Sequence, residues 1–235
     1  MKAGNRKLRL VLAVCLAAWT MSNAAFAQDV AGDEETVDAN VVVDVRITNI
    51  SQGQIFSRAV VATHTGEFRL FRLGNPARPS LAHLAETGNP EPLATALEGV
   101  DAVRDVAVTP QRLGPGESVT VHLRGARRVS VAGMLVRTND GFFGLNGTRI
   151  PLKRPVRVRF SPGYDAGSEF NDELCQSIPG PPCHGNGGVD EESVVLIHSG
   201  IHGIGDLQPS RYDWRNPVAR IEIHRRVVDP ETTDP

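Results

Sequence analysis

Residues 103–139 read VRDVAVTPQRLGPGESVTVHLRGARRVSVAGMLVRTN, and this stretch decides the fold class. VRDVAVTP (103–110), SVTVHLRG (118–125) and RRVSVAGMLVRTN (127–139) are each rich in valine and other β-formers, the composition of strands. LGPGES (113–118) separates the first two with the proline and glycines of a turn. Working outward, VVVDVRITNIS (41–51) and QIFSRAVVATH (54–64) read as two earlier strands, and GEFRLFRLG (66–74) as a short strand or extended segment. RPVRVRFSPG (154–163) alternates Val156, Val158 and Phe160 with Arg157 and Arg159, which predicts a half-buried strand. PVARIEIHRRVV (217–228) reads as the last strand. Residues 79–100, PSLAHLAETGNPEPLATALEGV, break the pattern. Leu81, Leu84 and Ala85, then Leu93, Leu97 and Val100, recur at spacings of three and four, which predicts two short helices with a stop at Gly88. The class is all-β, an antiparallel β-sandwich with a short helical insertion.

The ends of the chain read differently. Lys2, Arg6, Lys7 and Arg9 precede an apolar run, and Ala25-Phe26-Ala27 fits a small-x-small cleavage rule, so residues 1–27 read as a signal peptide. The run is shorter than the ~20 residues of a membrane span. Cys15 within it only loosely suggests a lipid-attachment box. Residues 28–40 are acidic, polar and aperiodic and read as a disordered arm; 229–235 read as a disordered tail. The domain proper is expected over 41–228, in a periplasmic or extracellular setting with no transmembrane segment after cleavage.

The chain carries 25 Lys and Arg against 27 Asp and Glu, and losing the basic signal segment makes the remainder more acidic. That balance excludes a nucleic-acid partner, which requires a basic face. Of the three cysteines, Cys175 and Cys183 remain after cleavage. An even pair in an exported chain reads as a disulfide.

Residues 161–214 are rich in Gly, Pro, Asp, Glu and His and are too long for a plain loop. Asp140, in TNDGFFG, and Asp165 with Glu169, in YDAGSE, end two strands in carboxylates. Such a geometry suits calcium, which takes 6–8 oxygen ligands; the bland alternative is that Asn139-Asp140-Gly141 is only a hairpin turn. His184, His198 and His202 with Asp206 form an alternative zinc set, although Gly200 and Gly203 make a helical His pair unfavourable. Ser199 beside His198 lacks the setting of a nucleophile elbow. Asp172 and Glu173 read as a solvated loop face or further metal ligands. Arg127 and Arg128 read as exposed strand-edge charges, and Asn146-Gly147-Thr148 as a turn.

Taken together, VRITNISQGQIFSRAVVATH, LFRLGNPARPSLAHLAETGNPEPL, VSVAGMLVRTNDGFFGL, YDAGSEFNDE, IPGPPCHGNG, HSGIHGIGDL and YDWRNPVARIEI resemble the spondin N-terminal domain family, in its bacterial branch, related to the F-spondin domain. The resemblance covers roughly residues 42–226. It implies an eight-stranded antiparallel sandwich akin to calcium-dependent lipid-binding domains. It also implies a calcium ion at one end, held by motifs similar to PDW and DAGTD. Asp140 takes the ligand position of the first motif, and Asp165 and Glu169 those of the second, where Glu169 replaces an aspartate. No enzymatic activity is implied.

The leading expectation is therefore a non-catalytic, calcium-binding adhesion module whose ordered loops meet a polysaccharide, a lipid headgroup or a protein. The alternatives are a zinc-dependent hydrolase using His184, His198, His202 and Asp206, and a structural envelope or extracellular matrix protein.

Overall fold

The computed structural model describes residues 41–152 and 154–228. The expected signal peptide, acidic arm and tail lie outside the described residues. Ten strands form two antiparallel sheets. They are β1 (Val41–Asn49), β2 (Val60–His64), β3 (Val103–Val108), β4 (Ser118–Arg124), β5 (Arg128–Met134), β6 (Gly141–Arg149), β7 (Val156–Ser161), β8 (Gly163–Asp165), β9 (Leu196–Ile197) and β10 (Ala219–Val227). One sheet has the order β4-β1-β10-β7 and the other β3-β2-β5-β6-β8-β9. The sandwich is as expected; the described residues form ten strands, where the resemblance implies eight. The additions include the very short β8 and β9, whose three and two residues carry no readable period.

β1 buries Val41, Val43, Val45, Ile47 and Asn49 and turns the intervening residues outward, the alternation of a strand covered on one face. Its core residues pair with Leu123, Val121 and Val119 of β4 on one side and with Ile223 and Ile221 of β10 on the other. Across the gap Val61, Val129, Val131, Phe143 and Leu145 complete the inner core. The other sheet is covered on both faces. All five residues of β2 are buried, and β5 is buried from Val129 to Met134. Its outer face carries Val60, Ala62, Ala132 and Phe142 against the two helices. This double burial is why these strands read as continuous apolar runs rather than alternations.

Two helices fall where their spacing placed them, α1 (Pro79–Thr87) and α2 (Glu91–Glu98), and a third, of four residues over Pro209–Tyr212, was not expected. Proline opens α1, where a missing N–H costs nothing. Gly88 closes it at φ 70°, its N–H bonded to the Leu84 carbonyl, a left-handed cap that favours glycine. Leu81, Leu84, Leu93 and Leu97 are all buried on the sheet.

Four local expectations are corrected. Residues 66–74 form no strand. Arg69 instead bonds the carbonyls of Gly66 and Phe68, and Asn146 takes the Leu70 N–H at 2.9 Å. Asn146-Gly147-Thr148 is not a turn but part of β6, at a register shift with Gly147 at φ 64°, a bulge. Arg128 lies on interior strand β5, between β2 and β6, not at an edge. In β7 the alternation is inverted. Arg157 and Arg159 sit opposite the core residues Ile223 and Ile221, whereas Phe160 is 56 % exposed. The apolar residues of this edge strand are the outward set. Among the described residues no helix is long and apolar enough to cross a membrane.

Candidate functional site

β6 and β8 bring two of the expected carboxylates to one sheet end. Gly141, the first residue of β6, pairs with Asp165, the last of β8. Asp140 immediately precedes that pair, and its carbonyl accepts the Ala166 N–H at 3.2 Å. Phe142 stacks on Tyr164 behind it, with ring centroids 5.2 Å apart.

After Asp165 the chain turns sharply through Gly167, at φ 67°. A Cβ there would lie 2.6 Å from the Val194 carbonyl oxygen, so this turn requires glycine. Asp165 Oδ1 accepts the Gly167 N–H at 2.7 Å and Oδ2 the Asn171 amide at 2.6 Å. The turned backbone aims its next two N–H groups at Asp140. Oδ2 of Asp140 accepts Ser168 N at 2.7 Å and Glu169 N at 3.0 Å, with the Ser168 hydroxyl at 3.2 Å. Glu169 Oε1 accepts the Gly188 N–H at 2.7 Å.

Each of these two carboxylates keeps one oxygen unmatched. Asp140 is 0 % exposed and Glu169 4 %, yet Asp140 Oδ1 and Glu169 Oε2 have no hydrogen-bond partner. Buried polar atoms normally find one. Burial, then the nearby Asp165 charge, pushes Asp140 up to about 6. Burial, then the charges of Glu86, Asp140 and Asp172, pushes Glu169 up to about 7. Both groups are therefore held near the edge of ionisation at neutral pH. Their free oxygens suit a hard cation. Among the described residues no group of three or more His, Cys, Asp or Glu side chains is already arranged around a common metal position. The three carboxylates share a sheet end without converging.

Asp172 and Glu173 are not the solvated face expected. Burial alone would raise Asp172, but the Leu174 N–H, Asn139 and Ser177 outweigh it and hold the carboxyl below its ordinary value. Glu173 is 3 % exposed. Its carboxylate accepts three backbone N–H groups: His202 at 2.5 Å, Gly203 at 2.7 Å and Ile204 at 3.1 Å. Gly200 and Gly203 adopt positive φ in this turn, which helps consecutive N–H groups face one anion. The Glu173 cradle is absent from the sequence reading. Its signal is the close spacing of Gly200, Gly203 and Gly205.

The histidine set is not gathered. His184 and His202 are exposed and His198 is buried. Asp206 Oδ2 accepts the Cys175 N–H at 2.8 Å. His198 packs on Trp214, with centroids 5.0 Å apart. Its Nδ1 accepts the Gly200 N–H at 3.0 Å, while Nε2 is buried without a partner. Burial holds its pKa below the ordinary imidazole value. Cys175 and Cys183 form the expected disulfide, with Cα atoms 4.7 Å apart. It pins the loop between the Glu173 cradle and the core, where Cys183 is buried.

A scan against protein-family models and a search of curated proteins return no match for this chain.

Proposed function

We propose that the chain is an exported, non-catalytic binding module of the spondin type, whose carboxylate loops are fastened by calcium. One observation carries the reading. Asp140 Oδ1 and Glu169 Oε2 are buried carboxylate oxygens without donors, at the sheet end where the DAGSE turn also places Asp165. Ionising such groups in a buried setting is unfavourable unless a cation compensates. Calcium would draw on Asp140, Asp165 and Glu169, and backbone carbonyls and water would complete its shell. Fastening there would order residues 165–190, the loop through which an adhesive surface would be presented to a polysaccharide, lipid headgroup or protein.

The test is thermal unfolding of the oxidised protein in calcium and in chelator, with elemental analysis of the same sample. A ligand at 100 times its Kd adds about 2.7 kcal/mol, a shift of about 5–10 °C for a domain of this size. A calcium-dependent rise without bound zinc supports the reading. An unchanged midpoint rejects calcium, and stoichiometric zinc would transfer the site to His184, His198, His202 and Asp206.

A further inference from the structure

A second feature lies at the far end of β6. Arg149 is the last residue of that strand and Asp140 precedes its first, so roughly 25–30 Å of extended chain separates the two ends at ~3.3 Å per residue. Between the end of β6 and edge strand β7 is a cavity of about 630 Å³, within the range of ligand sites. Among the described residues, Arg149, Arg154, Arg157 and Arg159 line it with the apolar Ile150, Leu152, Val156 and Val158, and no carboxylate does.

Three observations set this apart from ordinary surface charge. First, the β7 register turns Arg157 and Arg159 toward the core side of the sheet, opposite Ile223 and Ile221. Inward-pointing charges protect edge strands from pairing; this edge supplies two, Arg157 half-buried and Arg159 exposed. Second, Arg157 Nε is buried without a hydrogen-bond partner. Among the described residues, none of the four guanidinium groups forms an ion pair with a carboxylate. Third, Arg149 stands directly opposite Arg128 across the β5–β6 ladder, a like-charge pairing that is destabilising in a sheet. The whole chain has a formal net charge of −2, so this concentration of positive charge runs against its composition.

Guanidinium groups match tetrahedral oxyanions through paired N–H donors. Four positive charges are balanced by two terminal phosphate groups, each carrying up to two negative charges, or by about four singly charged phosphodiesters. We propose that the arginine-lined cavity between β6 and β7 is a binding site for a ligand bearing two or more phosphate groups. The site is independent of the carboxylate end and of calcium. The shared chemistry has two sources, a soluble polyphosphorylated molecule or a cluster of anionic phospholipid headgroups. Leu152, 64 % exposed at the cavity wall, is placed to meet the acyl boundary in the second case.

The experiment is calorimetric titration of the purified protein with inorganic pyrophosphate in chelator, repeated with sodium sulfate at matched ionic strength. Saturable 1:1 binding of pyrophosphate, stronger than that of sulfate, is expected. The double variant Arg157→Gln/Arg159→Gln should weaken it roughly tenfold or more. Arg72→Gln, an exposed arginine outside the cavity, should leave it unchanged. A second arm sediments the protein with phosphatidylglycerol–phosphatidylcholine vesicles. Capture that pyrophosphate reverses identifies the headgroup source; pyrophosphate binding without capture identifies the soluble one. No pyrophosphate binding overturns the proposal, as does binding that the double variant retains. Because Arg157 is partly buried, the melting midpoint of each variant is recorded. If the double variant does not fold, Arg154→Gln, an exposed position, takes its place.

Discussion

The Oδ2 oxygen of Asp140 accepts the backbone N–H of Glu169 at 3.0 Å, so the first carboxylate of the site positions the segment that carries the last. Two acids whose free oxygens are both buried are thus tied together through the chain, which keeps their separation nearly fixed.

The pH dependence of the calcium-free protein follows. Asp140 is raised from 3.8 to about 6 and Glu169 from 4.5 to about 7. A carboxyl with a raised native value binds its proton more tightly folded than unfolded, so stability falls as pH rises between the two values. In chelator, the melting midpoint should decline from about pH 4 to about pH 7 and then level off. Saturating calcium should flatten the decline, because a bound cation favours the ionised forms. A chelator profile that rises across the same interval would mean that these groups are stabilised as anions without metal.

Asp140→Asn separates charge from shape. The amide oxygen can still accept the Ser168 and Glu169 N–H groups, while the NH2 replaces the unmatched Oδ1 and removes the charge. Above pH 7 in chelator, this variant should melt at or above the parent, since a buried charge is lost. In calcium at 100 times its Kd, the parent should gain about 5–10 °C and the variant little or nothing. A variant that keeps the full calcium increment would place the cation elsewhere.

The two levels of structure differed in legibility for physical reasons. β1 and β10 were readable because one face is covered and the other wet, so the alternation survives in VVVDVRITN and ARIEIHRRV. α1 and α2 were readable because Leu81 with Leu84 and Leu93 with Leu97 keep helical spacing. β7 misleads because polarity is a poor guide to facing in an edge strand, where Arg157 is half-buried and Arg159 exposed although both lie on the side of Ile223 and Ile221. Asp140, Asp165 and Glu169 stand out in the sequence as carboxylates beside Gly-containing turns, although the strand that carries Asp165, only three residues long, has no readable period. The unmatched oxygens were not visible, since they depend on which N–H groups the Gly167 turn presents. Glu173 was hidden for the same reason: its partners are backbone groups some thirty residues away.

The Glu173 cradle predicts a strong local stability effect. Glu173→Ala leaves the His202, Gly203 and Ile204 N–H groups without their acceptor and should cost about 2–4 kcal/mol. Glu173→Gln, which keeps one acceptor oxygen, should lose less. Chemical denaturation gives the totals, and amide exchange assigns the damage. Protection should fall first at 202–204 and at Asp206, whose N–H bonds the Glu173 carbonyl at 2.9 Å. Exchange unchanged in that segment would show that the three N–H groups find other acceptors.

Gly167→Ala tests the turn that assembles the carboxylates. At φ 67° an alanine pays a conformational penalty of about 1 kcal/mol. Its Cβ would also meet the Val194 backbone, with the carbonyl oxygen at 2.6 Å and the nitrogen at 2.7 Å, contacts that no side-chain movement relieves. The expected loss is about 2–4 kcal/mol. The more specific consequence is for calcium. If the turn shifts to accept the methyl group, the Ser168 and Glu169 N–H groups leave Asp140 Oδ2, and the calcium increment in melting temperature should shrink together with basal stability. Gly116→Ala is the matched control: its φ of 81° is also positive, and a Cβ there meets nothing within 4 Å. It should lose a smaller amount of stability, and its response to calcium should equal the parent's. Equal calcium increments in both variants would mean that the DAGSE turn does not arrange the cation's ligands.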